Sequence, residues 1–324
     1  MCYCIFGKSK KKSLGTLGIS MKDVAVILIN YNTSKYTLEC IQAVIDKTLA
    51  AISYQVIVVD NNSELSDYKK LRDNFPKQEN VTLHRSDINT GFGGGNMFGV
   101  QFVNAKYLLF LNNDAMLKND CLNILHSYLE KNPNVGVATA QNYDENDNFV
   151  PSFDHNKGLR RLLFGRSFLE KNNPDLYPKR KKEYTQPLEV NWVNGAFMFF
   201  KADAFEKIVG FDTNIFLYWE EMDVCHRLRK EGYSSMLIPS AKILHYLGVS
   251  IGVSKPIDRE GYISYLYVLK KNHEYYKYLL IRIYLVAVIL LKPKKWHLLS
   301  VLLKPNPTKA SLRHQQKPRT LDEN

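Results

Sequence analysis

Three apolar runs, each ending abruptly in polar residues, constrain this chain more than any other feature of its sequence. Val24-Ala25-Val26-Ile27-Leu28-Ile29 leads into Asn30-Tyr31-Asn32-Thr33, and Tyr54-Gln55-Val56-Ile57-Val58-Val59 into Asp60-Asn61-Asn62-Ser63. Tyr107-Leu108-Leu109-Phe110-Leu111 leads into Asn112-Asn113-Asp114. A short run without polar alternation is the pattern of a strand buried on both faces, as in parallel sheets. Amides and carboxylates directly after such strands lie at the carboxyl edge of the sheet, where open α/β sheets bind ligands. Asp114 taken alone also reads as a helix cap. Its company favours a site.

The segments between these runs support the same layout. Leu38, Ile41, Val44 and Ile45 follow Thr33 and Ser34 at helical spacing, and either hydroxyl suits an N-cap. Strand, helix, strand predicts a βαβ unit with a parallel sheet and right-handed crossovers. A third short strand, Val81–His84, precedes Asn89-Thr90-Gly91-Phe92-Gly93-Gly94-Gly95-Asn96, which is predicted to open a helix running from Met97 to Asn104. This glycine run matches neither the Walker nor the dinucleotide pattern. It serves either to bring backbone N–H groups to a phosphate or as a flexible turn.

Charge and cysteine usage narrow the partners. The net charge of +12 sits at the ends: residues 1–22 carry five lysines and no acid, residues 270–324 carry +9, and residues 23–269 are left at −2. Basic ends favour an anionic surface, but the near-neutral body argues against nucleic acid and for a membrane face. No apolar run reaches 18 residues, so no spanning helix is predicted, and the amino end lacks the apolar core of an export signal. The five cysteines are odd in number and lack metal spacing; Cys40, Cys121 and Cys225 read as buried thiols in a reducing compartment, and Cys2 and Cys4 carry no assignment.

Taken in order and spacing, Asn30-Tyr31-Asn32, Val58-Val59-Asp60-Asn61-Asn62-Ser63, the Asn89–Asn96 run and Asn112-Asn113-Asp114 resemble the family 2 inverting glycosyltransferases. The resemblance covers roughly residues 23–275 and is strongest to the rhamnosyltransferase branch of bacterial surface polysaccharide (O-antigen, capsule, cell wall) synthesis. It implies an α/β fold of the GT-A nucleotide-diphospho-sugar transferase type: a mostly parallel central sheet with flanking helices, then a C-terminal amphipathic helical segment. It also implies a donor site built from Asn30, Asn32, Asp60, Asn62, Asn89, Gly91, Asn113 and Asp114, with Asp60 toward the nucleoside. Asp114 would hold a divalent metal, Mg²⁺ or Mn²⁺, on the diphosphate. Asn112 stands where many relatives carry Asp, which leaves fewer charges for that metal.

Residues 141–190 are polar, carry Lys179-Arg180-Lys181-Lys182, and are expected to form a mobile loop near the site. Gly195, between Asn194 and Ala196, resembles the family's turn near the acceptor, and Trp192 either stacks on a sugar or belongs to the core. Leu217, Glu221, Val224 and Leu228 fall on one helical stripe, which puts Glu221 on an apolar face where a purely structural carboxylate is out of place. Burial raises a carboxyl pKa, and a general base profits from that. The family's motif here is Glu-Asp-x-Asp with its second acid as base, a place that Glu221 takes in this chain. Glu220 either orients the acceptor or caps the helix, and Asp223 and Arg227 pair at i, i+4. His245-Tyr246-Leu247-Gly248-Val249-Ser250 resembles the family's His-x-x-Gly-x-Ser, which implies that His245 completes the metal and diphosphate site.

Tyr278–Leu291 is apolar except for Arg282 and precedes Lys292, Lys294, Lys295 and Trp296, a pattern of an interfacial helix or of a core helix. The expected organisation is a disordered leader 1–22, a catalytic domain 23–275, membrane-interface helices 276–303 and a disordered tail 304–324. The expected activity is one in-line displacement, with Glu221 as base, moving L-rhamnose from dTDP-rhamnose to a saccharide or polyprenyl-linked acceptor at the inner membrane face. An oligomer is compatible with this. A UDP-sugar donor, or a catalytically silent nucleotide-sugar-binding protein, are the alternatives.

Overall fold

The computed structural model describes residues 20–246 and 254–319. Cys2, Cys4, Gly248, Ser250 and nearly all of the expected leader lie outside them. The first half alternates strand and helix: β1 (Lys22–Asn30), α1 (Ser34–Lys47), β2 (Tyr54–Asp60), α2 (Leu65–Asp73), β3 (Val81–Arg85), α3 (Gly91–Val100), β4 (Ala105–Asn112) and β5 (Ala115–Leu117). Then come α4 (Cys121–Lys131), β6 (Val135–Tyr143), α5 (Leu159–Phe164), α6 (Arg166–Asn172), β7 (Phe197–Lys201) and α7 (Ala202–Lys207). The chain closes with α8 (Glu220–Lys230), β8 (Ser234–His245), α9 (Lys255–Asn272) and α10 (Tyr275–Leu290).

Eight strands line up as β3-β2-β1-β4-β7-β6-β8-β5, and two-residue ladders at Phe149–Val150 and Leu188–Glu189 complete a ten-stranded sheet. The β1, β2, β3 and β4 pairings are parallel, as is β6 with β8; β7 is antiparallel to both neighbours, and β5 to β8. The apolar runs explain this directly. In β1, Val24, Val26 and Leu28 enter one core while Ala25 and Ile27 enter the core on the other face. Every second residue points to the opposite side, so a strand covered by helices on both faces has no place for a polar residue. Register then aligns the polar ends: Asn30 opposite Asp60, Asp60 opposite Arg85, and Ile29 opposite Asn112.

A third core belongs to the C-terminal helices. Ile263, Leu266 and Leu269 of α9 pack with Tyr278, Ile281, Leu285 and Ile289 of α10, and Met222 of α8 joins them. The α10 residues recur at helical spacing and define one buried face. Tyr275, Tyr276, Leu279, Leu280 and Ile283 of the same helix stay exposed. The core-helix pattern therefore describes one face of α10, and an apolar surface remains on the other. Among the described residues no helix is long and apolar enough to cross a membrane.

Four local expectations change. The helix expected from Met97 starts at Gly91, because the Asn89 side chain accepts the Gly91 N–H at 2.9 Å and the Phe92 N–H reaches the Phe216 carbonyl at 3.0 Å. Gly91 has φ +74°, and a Cβ there would sit 1.9 Å from the Phe216 oxygen, so no other residue fits. Residues 141–190 are not one loop; they hold the end of β6, both α5 and α6, and a buried Asp154 that pairs with Arg161 and Arg180. Residues 304–319, read as a structureless tail, form two 3₁₀ turns and are anchored on Glu260. Finally α8 begins at Glu220, so Leu217 precedes the helix and the apolar stripe that pointed to Glu221 is shorter than the spacing suggested.

Candidate active site

Two cavities adjoin at the carboxyl edge of the sheet, both bordered by Ser254 and Ile257 at the start of α9. The smaller, about 450 Å³, lies over the ends of β1 and β4 and is lined by Tyr31, Thr33, Asn61, Asn89, Gly91 and Asn113. Strand order reverses between β1 and β4, since β2 and β3 lie to one side of β1 and β4 to the other. That is the topological switch point at which such sheets bind ligands.

The polar ends of the four strands are welded into one network. The Asn113 amide donates to Thr33 Oγ1 at 2.7 Å and Thr37 Oγ1 at 2.8 Å, and the Thr37 hydroxyl donates to Asn30 Oδ1 at 2.8 Å. Asn30 Nδ2 in turn donates to Asp60 Oδ1 at 2.9 Å, and Arg85 Nε to Asp60 Oδ2 at 3.0 Å. Asp60 is fully buried, so its carboxylate braces these loops and does not line the cavity. Removing one partner of such a buried pair typically costs about 3–5 kcal/mol. Asn32, at φ 55°, accepts the Glu64 N–H, and Asn62, at φ 65°, turns the loop after β2. Neither lines the cavity, whereas Asn61, which the motif contained but no role singled out, does. Its carboxamide holds Thr90 N–H at 3.1 Å and the Gly91 carbonyl at 3.0 Å. The sequence signal for Asn61 was present in the Asp-Asn-Asn-Ser run, but spacing could not say which amide faces inward.

Asp114 and His245 meet although 131 positions separate them in sequence. His245 Nε2 lies 3.3 Å from Asp114 Oδ1, both side chains are buried, and His245 Nδ1 has no hydrogen-bond partner among the described residues. β8 pairs antiparallel with β5, setting His245 opposite Ala115, and this register creates the contact. A carboxylate oxygen beside an imidazole nitrogen fits a divalent cation that takes its remaining ligands from phosphate and water. Among the described residues no cluster of three or more candidate ligands exists.

The larger cavity, about 840 Å³, is lined by Glu221, Trp192, Tyr218, Trp219, Lys157 and Tyr265, among others. Glu221 stands in the first turn of α8, entered through Tyr218 and Trp219, whose φ values of 71° and 74° lie in the left-handed region. Such strained pairs cluster at functional sites. The Glu221 carboxylate rests on Gly195, so closely that a Cβ there would be 2.5 Å from Oε1. Burial raises its pKa, against the pull of backbone N–H groups including that of Gly195 and of the nearby Lys157 ammonium. Glu220 turns the other way. It is 2% exposed, its Oε1 has no partner among the described residues, and burial together with the Glu221 charge pushes its pKa well above the ordinary range. Burial raises both adjacent carboxyls, Glu220 the further of the two. Glu220 does not border the cavity expected to take an acceptor, whereas Trp192 does, and its indole N–H has no partner among the described residues. Asp223 is buried with Arg227, as its spacing required, and with Lys271.

A sequence model described as Glycosyl transferase family 2 matches residues 25–208. The chain belongs to this family. Among curated relatives, rhamnosyltransferase WbbL of Escherichia coli is 28% identical over 204 residues, covering 60% of this chain and 73% of that protein. An N-acetylglucosaminyl-diphospho-decaprenol L-rhamnosyltransferase of Mycobacterium tuberculosis is 36% identical over 74 residues, 22% of this chain and 24% of that protein. Among solved structures, a Pyrobaculum calidifontis mannosyltransferase in complex with GDP-Man and Mn²⁺ has TM-score 0.54 at 14% identity, covering 90% of this chain and 74% of that one. GalNAc-T7 with UDP, GalNAc and Mn²⁺ has TM-score 0.55 at 15% identity, and the match covers 78% of this chain but only 48% of that chain. At such identities the structures speak for the shared GT-A-like fold alone. This family 2 chain is thus a rhamnosyltransferase-like member with a mostly parallel central sheet.

Proposed function

We propose that this family 2 protein is an inverting transferase that moves L-rhamnose from dTDP-rhamnose to a saccharide on a polyprenyl-type carrier, in surface polysaccharide synthesis. One observation carries the reading. The carboxyl group of Glu221 is seated on Gly195 in an aromatic-walled cavity that adjoins the polar switch-point cavity. The smaller cavity would take the nucleotide diphosphate and the larger the acceptor, with Trp192 offering a face to the apolar side of a sugar ring. Glu221 would remove the proton from an acceptor hydroxyl as its oxygen attacks the anomeric carbon, and the bond from that carbon to the diphosphate oxygen breaks on the opposite face. One displacement inverts the configuration. Asp114 and His245 would hold Mg²⁺ or Mn²⁺, which supplies charge neutralisation for the departing diphosphate. Lys157, whose ammonium lies 4.4 Å over the Trp219 ring, would keep Glu221 ionised.

The names of the two rhamnosyltransferase relatives support the sugar and a lipid-diphosphate acceptor. The exposed apolar face of α10, with Leu163, Phe164 and Phe168 of α5 and α6 and the basic end of the chain, supports residence on an anionic inner membrane face. The test is release of nucleoside diphosphate from a panel of dTDP-, UDP- and GDP-sugars, with and without Mn²⁺, in the presence of N-acetylglucosaminyl-diphospho-lipid acceptors. Turnover of dTDP-rhamnose above the others is expected. Preference for a UDP-sugar would replace the donor, and donor binding without turnover would favour a silent binding protein.

A further inference from the structure

The C-terminal segment that composition marks as structureless crosses the molecule to the donor side. It begins at a buried anchor: the Glu260 carboxylate on α9 accepts the Ser311 hydroxyl at 2.7 Å and the Leu312 N–H at 2.8 Å. Glu260 is 1% exposed, so this contact is built into the core. The segment then runs past Asn214, which accepts from Arg313 Nη1 at 2.7 Å. It ends on the two loops that follow β2 and β3. Asn62 Nδ2 donates to the Lys317 carbonyl at 3.4 Å, the Arg319 N–H donates to the Asp87 carbonyl at 2.9 Å, and the Arg319 guanidinium pairs with the Asp87 carboxylate. The Arg319 side chain is only 13% exposed, so it is packed down as well as paired.

These two loops are the β2/β3 edge of the smaller cavity. Asn62 follows Asn61, and Asp87 precedes Asn89 by two residues; Asn61 and Asn89 line the cavity and hydrogen-bond to each other at 3.1 Å. The N-terminal end of α9, which carries Glu260, borders both cavities through Ser254 and Ile257, the latter one turn before Glu260. We infer that residues 311–319 form a latch that holds the Asn61 and Asn89 loops against α9, with Arg319 a positioning residue for nucleotide binding. The latch rests on the proposed assignment of the smaller cavity to the nucleotide diphosphate.

Coupling of this kind is reciprocal: if a docked latch favours nucleotide, bound nucleotide favours the docked latch by the same factor. The experiment uses the full chain and the variants Arg319→Ala, Arg319→Lys and Ser311→Ala, with dTDP, UDP and GDP titrated in Mn²⁺ by calorimetry. Arg319→Ala is expected to weaken the nucleotide that the wild type binds by about tenfold, the scale of one charge-assisted contact. Arg319→Lys, which keeps the stem and the charge, should recover most of that, and Ser311→Ala should weaken binding in the same direction from the far anchor. In turnover the loss should fall on the donor KM and leave kcat near the wild-type value. Saturating nucleotide should slow tryptic cleavage after the exposed Arg313 by a comparable factor. Wild-type affinity in Arg319→Ala, or cleavage unchanged by nucleotide, overturns the latch while leaving the site assignment standing. If the wild type binds none of the three nucleotides, the site assignment falls and the latch with it.

Discussion

Gly195→Ala is the sharpest test of the proposed base, because it adds one methyl group and no charge. The new Cβ would lie 2.5 Å from Glu221 Oε1 and 3.1 Å from its carboxyl carbon, where ordinary contacts begin at 3.4 Å. The backbone at Gly195 is outside the positive-φ set, so alanine itself is not strained. What must yield is the far end of a flexible side chain, and its Oε1 must move by roughly 0.9 Å, from 2.5 Å to the 3.4 Å of ordinary contact. That motion also stretches the hydrogen bond from the Gly195 N–H, which stabilises the ionised carboxylate. A misplacement near 1 Å at a reacting group costs about 10²-fold in rate. The expected result is therefore a fall of kcat by about 10²-fold with nucleotide affinity intact and a melting temperature within a few degrees of wild type. The assay is initial-rate turnover alongside calorimetry and thermal unfolding. Turnover within threefold of wild type would refute the claim that the carboxylate resting on Gly195 does the chemistry.

Other outcomes follow from the same geometry. Glu221→Gln should abolish transfer by roughly 10²–10⁴-fold or more while nucleotide binding persists, and retention of a tenth of the activity would remove Glu221 as the base. A base works deprotonated, and burial raises the Glu221 pKa, so kcat should fall on the acid side at a pH above that of an ordinary glutamate, near 4.3; an acid limb at or below that value would contradict the raised pKa. Asp114→Ala should weaken Mn²⁺-dependent nucleotide binding far more than Asn112→Ala, since only Asp114 brings a charge and a His245 contact; equal losses in calorimetry would mean the ligand is misassigned. On the membrane side, Leu280→Asp with Ile283→Asp places two charges on the exposed face of α10 and should release the protein from anionic liposomes, where each basic residue contributes about 1 kcal/mol. Unchanged sedimentation would exclude that face. Truncating before α10 is a poorer test, because Tyr278, Ile281 and Leu285 share a core with α9.

Much of the catalytic half was legible without coordinates. An unbroken apolar run has one stable use, a strand covered on both faces, and polar residues after it have one place, the carboxyl edge; both follow from local order and solvent alone. That is why β1, β2 and β4 and the polar groups of Asn30, Asp60 and Asn113 could be read directly. The stripe through Leu217 does not account for the setting of Glu221, which comes from Gly195 and the aromatic wall brought to it from other elements. Which member of a polar run faces the cavity was not readable. Asp60 carries the charge yet turns into the core toward Arg85, while Asn61 faces out, because side-chain direction at a strand end is set by partners on neighbouring strands.

What only the tertiary structure decided shares one physical cause. Asp114 meets His245, Glu221 lines the larger cavity where Glu220 does not, and residues 311–319 are ordered on Glu260. Each depends on contacts between residues far apart in sequence. The polar tail is the clearest case: its own composition cannot bury enough apolar surface to fold, and taken alone it reads as disordered. It takes its shape from a buried carboxylate on another helix that needs donors for both oxygens, and supplies them with one hydroxyl and one N–H. Sequence determined which elements this chain builds and which edge carries chemistry; packing decided which side chains reach it.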